Sequence, residues 1–171
     1  MIFPEVKVFR PDSFIDDRGE LWTIWNQNDF EPKLNFNHDK VSISKQYVLR
    51  GLHGDNKAWK LITCLHGSIY LVIVDYRKES PNYLKWDWIT LTSENRNMVL
   101  VPPMFVNGHL ALTETVSFFY KWAYEGDYPD VSDQFSLNYN DPILNIKWPI
   151  NHKYITLSER DKNSKYVQTF N

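Results

Sequence analysis

The chain has 171 residues, 43% of them hydrophobic and 23% charged, which suffices for one buried core and is a poor composition for wholesale disorder. Nineteen Lys and Arg stand against 21 Asp and Glu, a formal charge of −2, so the basic excess of a protein built to grip nucleic acid is missing. Apolar runs such as Met98 to Pro103 are far too short to span a bilayer, the first residues lack the pattern of a signal peptide, and Cys64 is the one cysteine, which excludes an internal disulfide and suits a reducing compartment. The expectation is one domain over residues 1–171, cytoplasmic, with neither a membrane nor a nucleic acid as partner.

Aromatic residues make up 16% of the chain while Gly numbers six, a balance that favours strands. In chain order, the turn Asp17-Arg18-Gly19 precedes a strand over Glu20 to Trp25, and Asn26 to Leu34 holds one or two helical turns. A strand over Val41 to Leu49 follows, then the turn Gly54-Asp55-Asn56. Lys60 to Leu65 and Ser68 to Asp75 are apolar runs joined at His66-Gly67, the pattern of a tight hairpin. After Ser80-Pro81-Asn82, Tyr83 to Thr92 alternates as a half-buried strand. Met98 to Val101 is a short strand halted by Pro102-Pro103, and Val116 to Tyr124 is a strand rich in aromatics. The tail from Asn151 is more polar, suited to wrapping the surface, with a helical turn from Asp161 onward. Strands separated by turn signals about every ten residues predict a sandwich or barrel. With no glycine-rich phosphate loop in sight, the predicted fold is an all-β, double-sheet jelly roll with under about a fifth of its residues helical.

Five histidines invite a search for metal ligands. His-x-His and His-Glu-x-x-His are absent, and only a facial triad of His53, His109 and Asp55 could assemble in space. Cys64, inside an apolar strand, reads as an inert core thiol. Arg50-Gly51-Leu52-His53-Gly54-Asp55 is more pointed: a cation and an imidazole three residues apart, flanked by glycines that let a ligand approach the backbone. The bland alternative is a solvated strand end. For Tyr120 the bland reading is core packing, and for Asp141, ahead of Pro142, it is turn formation.

Taken together, Asp17-Arg18-Gly19, Ser42-x-Ser44, Arg50-Gly51-Leu52-His53, Lys60-Leu61, Val74-Asp75-Tyr76-Arg77-Lys78-x-Ser80-Pro81, Tyr120-Lys121, Asn140-Asp141-Pro142 and Trp148-Pro149 resemble, in order, the motifs of the dTDP-4-dehydrorhamnose 3,5-epimerase family. The resemblance covers roughly residues 14 to 161 and implies a cupin-like jelly roll, a homodimer, and catalysis without metal or other cofactor. Two stretches depart from it. The family follows Arg-Gly-Leu-His with an aromatic and Gln, where this chain has Gly54-Asp55; and it reads Pro-x-Gly-Phe-Ala-His-Gly, where this chain has Pro102-Pro103-Met104-Phe105-Val106-Asn107-Gly108-His109. The family's second histidine is thus Asn107, and a new one stands at His109. These departures resemble a subgroup acting on GDP-4-keto-heptoses in capsule synthesis.

The chemistry implied is inversion beside a ketone. A 4-keto group acidifies C3 and C5, so one base and one acid on opposite faces are needed. By resemblance, His53 is the base, Asp141 orients it, Lys60 faces the enolate oxygen and Tyr120 is the acid. Arg50 and Arg18 take the diphosphate, Arg18 from the partner subunit, and Ser44, Asn107 and His109 complete the substrate contacts. The predicted function is inversion of C3, or of C3 and C5, in a nucleoside-diphosphate 4-keto sugar, with a GDP-4-keto-heptose first. Alternatives are a dTDP-4-keto-6-deoxyhexose 3,5-epimerase, a 3,4-ketoisomerase, a non-catalytic sugar-nucleotide-binding module and a metal-dependent oxygenase. The site set His53, Lys60, Tyr120 and Asp141 favours epimerisation.

Overall fold

A computed structural model describes residues 1–29 and 33–167. Its strands are β1 (Lys7–Phe9), β2 (Ser13–Asp16), β3 (Gly19–Trp22), β4 (Phe36–Lys45), β5 (Leu49–Gly54), β6 (Trp59–His66), β7 (Ser68–Asp75), β8 (Trp86–Thr92), β9 (Met98–Val101), β10 (Phe105–Ala111), β11 (Thr115–Ala123) and β12 (Phe135–Ser136). They form two five-stranded antiparallel sheets, ordered β1-β9-β6-β11-β4 and β12-β5-β10-β7-β8, with β2–β3 as a separate hairpin. This is the predicted jelly roll. Helix among the described residues is confined to one α turn, α1 (Glu159–Lys162), and three short 3₁₀ turns. No helix among the described residues is long and apolar enough to cross a membrane.

Strand β7 shows why the second sheet carries unbroken apolar runs. Side chains alternate across a strand, so Ile69, Leu71 and Ile73 enter the core between the sheets with Ile62, Val99, Phe105 and Phe118. Tyr70, Val72 and Val74 point the other way and are covered by Leu137, Leu144, Ile146 and Trp148. A sheet buried on both faces needs no polar alternation. The chain after β12 supplies the outer layer of this sheet.

Several sequence-based boundaries shift. Val41 to Leu49 is not one strand: β4 ends at Lys45, Tyr47 turns the chain with φ of 64°, and β5 starts at Leu49. β1, β2 and β10 carry too few alternating residues or too many turn formers to stand out in the sequence. Of the helix expected over Asn26 to Leu34, Gln27–Asp29 forms a 3₁₀ turn, while residues 30–32 lie outside the described residues. The helix expected from Asp161 onward begins earlier, at Glu159, and ends at Lys162.

Some motifs that carry the resemblance serve the fold. Asp75 holds the β7–β8 connection by accepting from Arg77 Nε at 2.9 Å, Arg77 Nη2 at 2.7 Å and the Ser80 hydroxyl at 2.6 Å.

Candidate active site

Arg50 and His53 are three residues apart on β5, a spacing that puts side chains on opposite faces of a regular strand. Here both line one cleft of about 550 Å³. The reconciliation is a bulge against β10: Asn107 pairs with His53 and His109 with Arg50, so four residues of β5 oppose three of β10. Gly51 absorbs the extra residue with φ of 129°, and a Cβ there would lie 2.4 Å from the Gly108 Cα. No other residue fits that crossing.

The cleft opens between the sheets. One wall carries Arg50 and His53 from β5 with Asn107 and His109 from β10; the other carries Lys60 from β6 and Phe118, Tyr120 and Trp122 from β11. Because β11 presents alternate residues to one side, Tyr120 sits between two aromatic neighbours, with ring centroids 5.1 Å from Phe118 and 6.0 Å from Trp122. Segment 156–161 closes one end and brings in Arg160 and Asp161.

Asp161 is the residue the sequence reading missed. Its carboxylate Oδ1 lies 2.6 Å from His53 Nε2, and its side chain is 3% exposed. Burial would raise this carboxyl, but the His53 hydrogen bond and charge, the Ser158 hydroxyl and the Gly51 N–H more than offset it, so its pKa is lowered. An ionised carboxylate only accepts, so Nε2 carries a proton, and in the neutral ring the lone pair lies on Nδ1. The available sequence signal was Ser158-x-x-Asp161, a helix-start pattern: the Ser158 hydroxyl accepts from the Asp161 N–H at 3.1 Å and fixes the turn that aims the carboxylate.

The expected His53–Asp141 contact is corrected. Asp141 is buried outside the cleft, and its oxygens accept from the N–H groups of Ile143 at 2.7 Å, Leu144 at 3.2 Å and Val167 at 2.5 Å. Three backbone donors occupy it as a turn-former. The remaining residues distribute as follows. His53, Lys60, Tyr120, Arg50, Asn107 and His109 share the cleft. Ser44 does not line it but accepts from Arg50 Nε at 3.0 Å, steadying that side chain. Arg18 is outside the cleft of its own chain, on the β2–β3 turn, with an 86% exposed side chain paired to Asp16 at 2.5 Å.

Burial decides the protonation of the other groups. The Tyr120 phenol is pushed up, mainly by desolvation and then by Tyr128, with Arg50 opposing; it keeps its proton near neutrality. His109 is stacked on Phe118 at 3.9 Å, and burial, reinforced by Arg50 and His53, takes it down to about 3, so it is neutral. Its Nε2 and the Asn107 Oδ1 are buried without hydrogen-bond partners among the described residues. The triad of His53, His109 and Asp55 does not form: His53 pairs with Asp161, Asp55 with Lys60, and the described residues gather no group of three or more metal-ligating side chains.

An imidazole–carboxylate pair, a buried phenol and a lysine share one cleft of a jelly roll, a set of side chains that suits an enzyme moving protons. Matched over residues 1–169 by the family model for dTDP-4-dehydrorhamnose 3,5-epimerase, the chain belongs to that family and is an isomerase, a sugar-nucleotide epimerase. It is 37% identical over 153 residues to the dTDP-4-dehydrorhamnose 3,5-epimerase of Salmonella typhimurium, covering 85% of this chain and 82% of that one. Similarity to the enzyme of the same name from Pseudomonas aeruginosa is 33% over 171 residues, covering 96% and 92%. Among solved structures, the dTDP-6-deoxy-D-glucose-3,5-epimerase of Legionella pneumophila in complex with dTDP-4-keto-L-rhamnose superimposes with a TM-score of 0.90 at 31% identity, covering 97% of this chain and 89% of that one. The Bacillus anthracis dTDP-4-dehydrorhamnose 3,5-epimerase with TDP and PPi bound gives 0.89 at 31% identity, covering 95% and 94%.

Proposed function

We propose that this chain inverts C3 and C5 of a dTDP-4-keto-6-deoxyhexose by deprotonation and reprotonation through an enolate. The observation that carries the reading is the His53–Asp161 pair on one wall of the cleft with Tyr120 and Lys60 on the other. His53 Nδ1 takes the proton from the carbon beside the ketone, and the electron pair passes to the C4 oxygen. Asp161 stabilises the imidazolium as it forms, and the Lys60 ammonium stabilises the enolate oxygen. Tyr120 delivers its proton to the opposite face of the carbanion, and solvent restores both groups. A buried phenol is a weak acid, adequate because the carbanion is a far stronger base. Arg50, held by Ser44, binds the diphosphate.

The dTDP sugar replaces the GDP-4-keto-heptose expected from the sequence, because the relatives named above act on dTDP sugars. The heptose reading keeps one supporting observation: Asn107 and His109, where the family motif differs, line the cleft, and each has a buried polar atom without a hydrogen-bond partner among the described residues. We further propose a cytoplasmic homodimer. Phe14, Ile15 and Leu21 on the β2–β3 hairpin and Val41 and Ile43 on edge strand β4 are 59–72% exposed, an apolar set suited to a second copy, and docking there would carry Arg18 toward the partner's cleft.

Incubation with dTDP-4-keto-6-deoxyglucose and a GDP-4-keto-heptose in deuterated water tests the assignment. Deuterium at C3 and C5 of the dTDP sugar with formation of its C3,C5-inverted epimer is the expected result. Turnover of the GDP sugar alone transfers the assignment to the heptose. Exchange with neither overturns the epimerase reading.

A further inference from the structure

Lys60 is the one cation on the β11–β6 wall that the proposed mechanism needs charged, and it is almost out of water, with a 7% exposed side chain. Burial lowers its pKa, and the nearby Arg160 adds to that. A carboxylate opposes both: Asp55 Oδ2 lies 3.0 Å from Lys60 Nζ, and its side chain is fully buried. We propose that Asp55 is a positioning residue for the reaction, holding the Lys60 ammonium protonated and aimed while it faces the enolate. The proposal rests on the epimerase reading and adds to it a residue at one of the two stretches where this chain departs from the family motif.

Those two stretches turn out to be one device. Gly54 stands where the family has an aromatic, and only glycine fits, since a Cβ would lie 2.5 Å from the Phe105 carbonyl oxygen and 3.0 Å from the Val106 Cα. The Asp55 carbonyl then accepts from the Met104 N–H at 2.8 Å, and Met104 holds a left-handed φ of 65° directly after Pro102-Pro103. Asp55 Oδ1 accepts from the N–H groups of Lys57 at 3.1 Å and Ala58 at 2.6 Å, while Oδ2 is buried without a hydrogen-bond partner and faces the ammonium as an ion pair. The Gly54-Asp55 and Pro102-Pro103-Met104 segments thus grip each other and deliver a fixed carboxylate. Among the described residues the carboxylate paired with Lys60 is that of Asp55; the Trp122 ring lies 4.7 Å from Nζ, and Arg160, Lys40, His53, Asp161, Tyr120 and Tyr128 share the cleft.

Asp55→Asn separates the charge from the turn, because the amide oxygen still accepts from Lys57 and Ala58 while the negative charge is gone. The Lys60 ammonium is followed directly by NMR of ¹³Cε-labelled lysine, assigned with Lys60→Met, and the pH profile of exchange into dTDP-4-keto-6-deoxyglucose is measured alongside. Wild-type Lys60 stays protonated through pH 8. In Asp55→Asn its titration falls by about one unit or more, the alkaline limb of kcat moves down with it, and KM stays within about twofold. A merely structural Asp55 would lower yield or stability and leave both titrations in place, which overturns the proposal. Wild-type Lys60 already neutral at pH 7 overturns it too, without need of the variant. The NMR titration needs no turnover, so a failed substrate assignment shows as absent exchange beside an intact Lys60 shift.

Discussion

His53 and Asp161 are 108 positions apart in the chain, and their side chains meet at 2.6 Å inside the cleft. The contact exists because the tail folds back over β5 and ends in a capped helical turn whose third residue points inward. Asp161→Asn keeps the shape and removes the charge that holds the Nε2 proton and steadies the imidazolium. The expected loss in kcat is about 10²-fold or more, with no loss of fold. Asp141→Asn behaves in the opposite way. One of its carboxylate oxygens becomes an NH₂ group facing backbone donors, at a cost of about 1–3 kcal/mol in stability, while the folded protein turns over normally. Parallel urea melts and deuterium-exchange assays on the two variants check this, and equal loss of rate in both would return Asp141 to the site.

The roles of base and acid separate in isotope exchange. His53→Asn forms no enolate, so exchange and inversion both fall by about 10²-fold or more. Tyr120→Phe removes only the donor on the far wall. Enolate still forms, and His53 returns a deuteron to the face it came from, giving exchange without inversion. Mass spectrometry and NMR of recovered sugar distinguish the outcomes. Parallel loss of both signals in Tyr120→Phe would show that the phenol is needed before the enolate.

The fold was readable because β7, β6 and β11 carry long apolar or alternating runs that permit little but strands, and the turn signals between them are strong. Lys60 and Tyr120, expected at the site, lie on those same strands and line the cleft. The Arg50–His53 pair was found by type and glycine flanks, although its shared face depends on a bulge that no period-two pattern encodes. Asp161 was hidden because its partner is set by how a polar tail packs, a long-range outcome of tertiary structure. Asp141 was mistaken for it since an acidic residue in a matching motif looks the same whether it faces an imidazole or three backbone N–H groups.

The proposed docking of two copies through the β2–β3 hairpin and β4 would make Arg18 a residue of the neighbouring cleft. Ile43→Lys places a charge within the exposed apolar set and should give a monomer by light scattering with much reduced turnover. Complementation gives a sharper readout. Arg18→Ala and His53→Asn homodimers are each impaired, but after mixing and subunit exchange a heterodimer holds one cleft with His53 intact and Arg18 donated by the other copy. Recovery of activity on mixing is the expected result. An active monomer, or no recovery despite proven exchange, rules out the donation of Arg18.

His109 makes the protein acid-sensitive in a defined window. In the folded state burial holds its pKa at about 3, whereas the unfolded chain protonates near the ordinary value of about 6.5. Between these values the unfolded state binds more protons, so stability falls as pH falls from 6.5 toward 3, by up to about 1.4 kcal/mol per pH unit from this group. Asp161 acts lower: its folded pKa is depressed, so its contribution is complete above the ordinary carboxylate value of about 3.8 and disappears only as pH drops further. Urea denaturation at pH 7.5 and 4.5 spans the His109 window, with about 2–3 kcal/mol as the upper bound of its share. His109→Phe keeps an aromatic against Phe118 and removes the titrating nitrogen. The variant should match wild type at pH 7.5 to within about 1.5 kcal/mol and lose distinctly less on acidification. If the two proteins lose stability in parallel between these pH values, the buried imidazole is not the group that titrates.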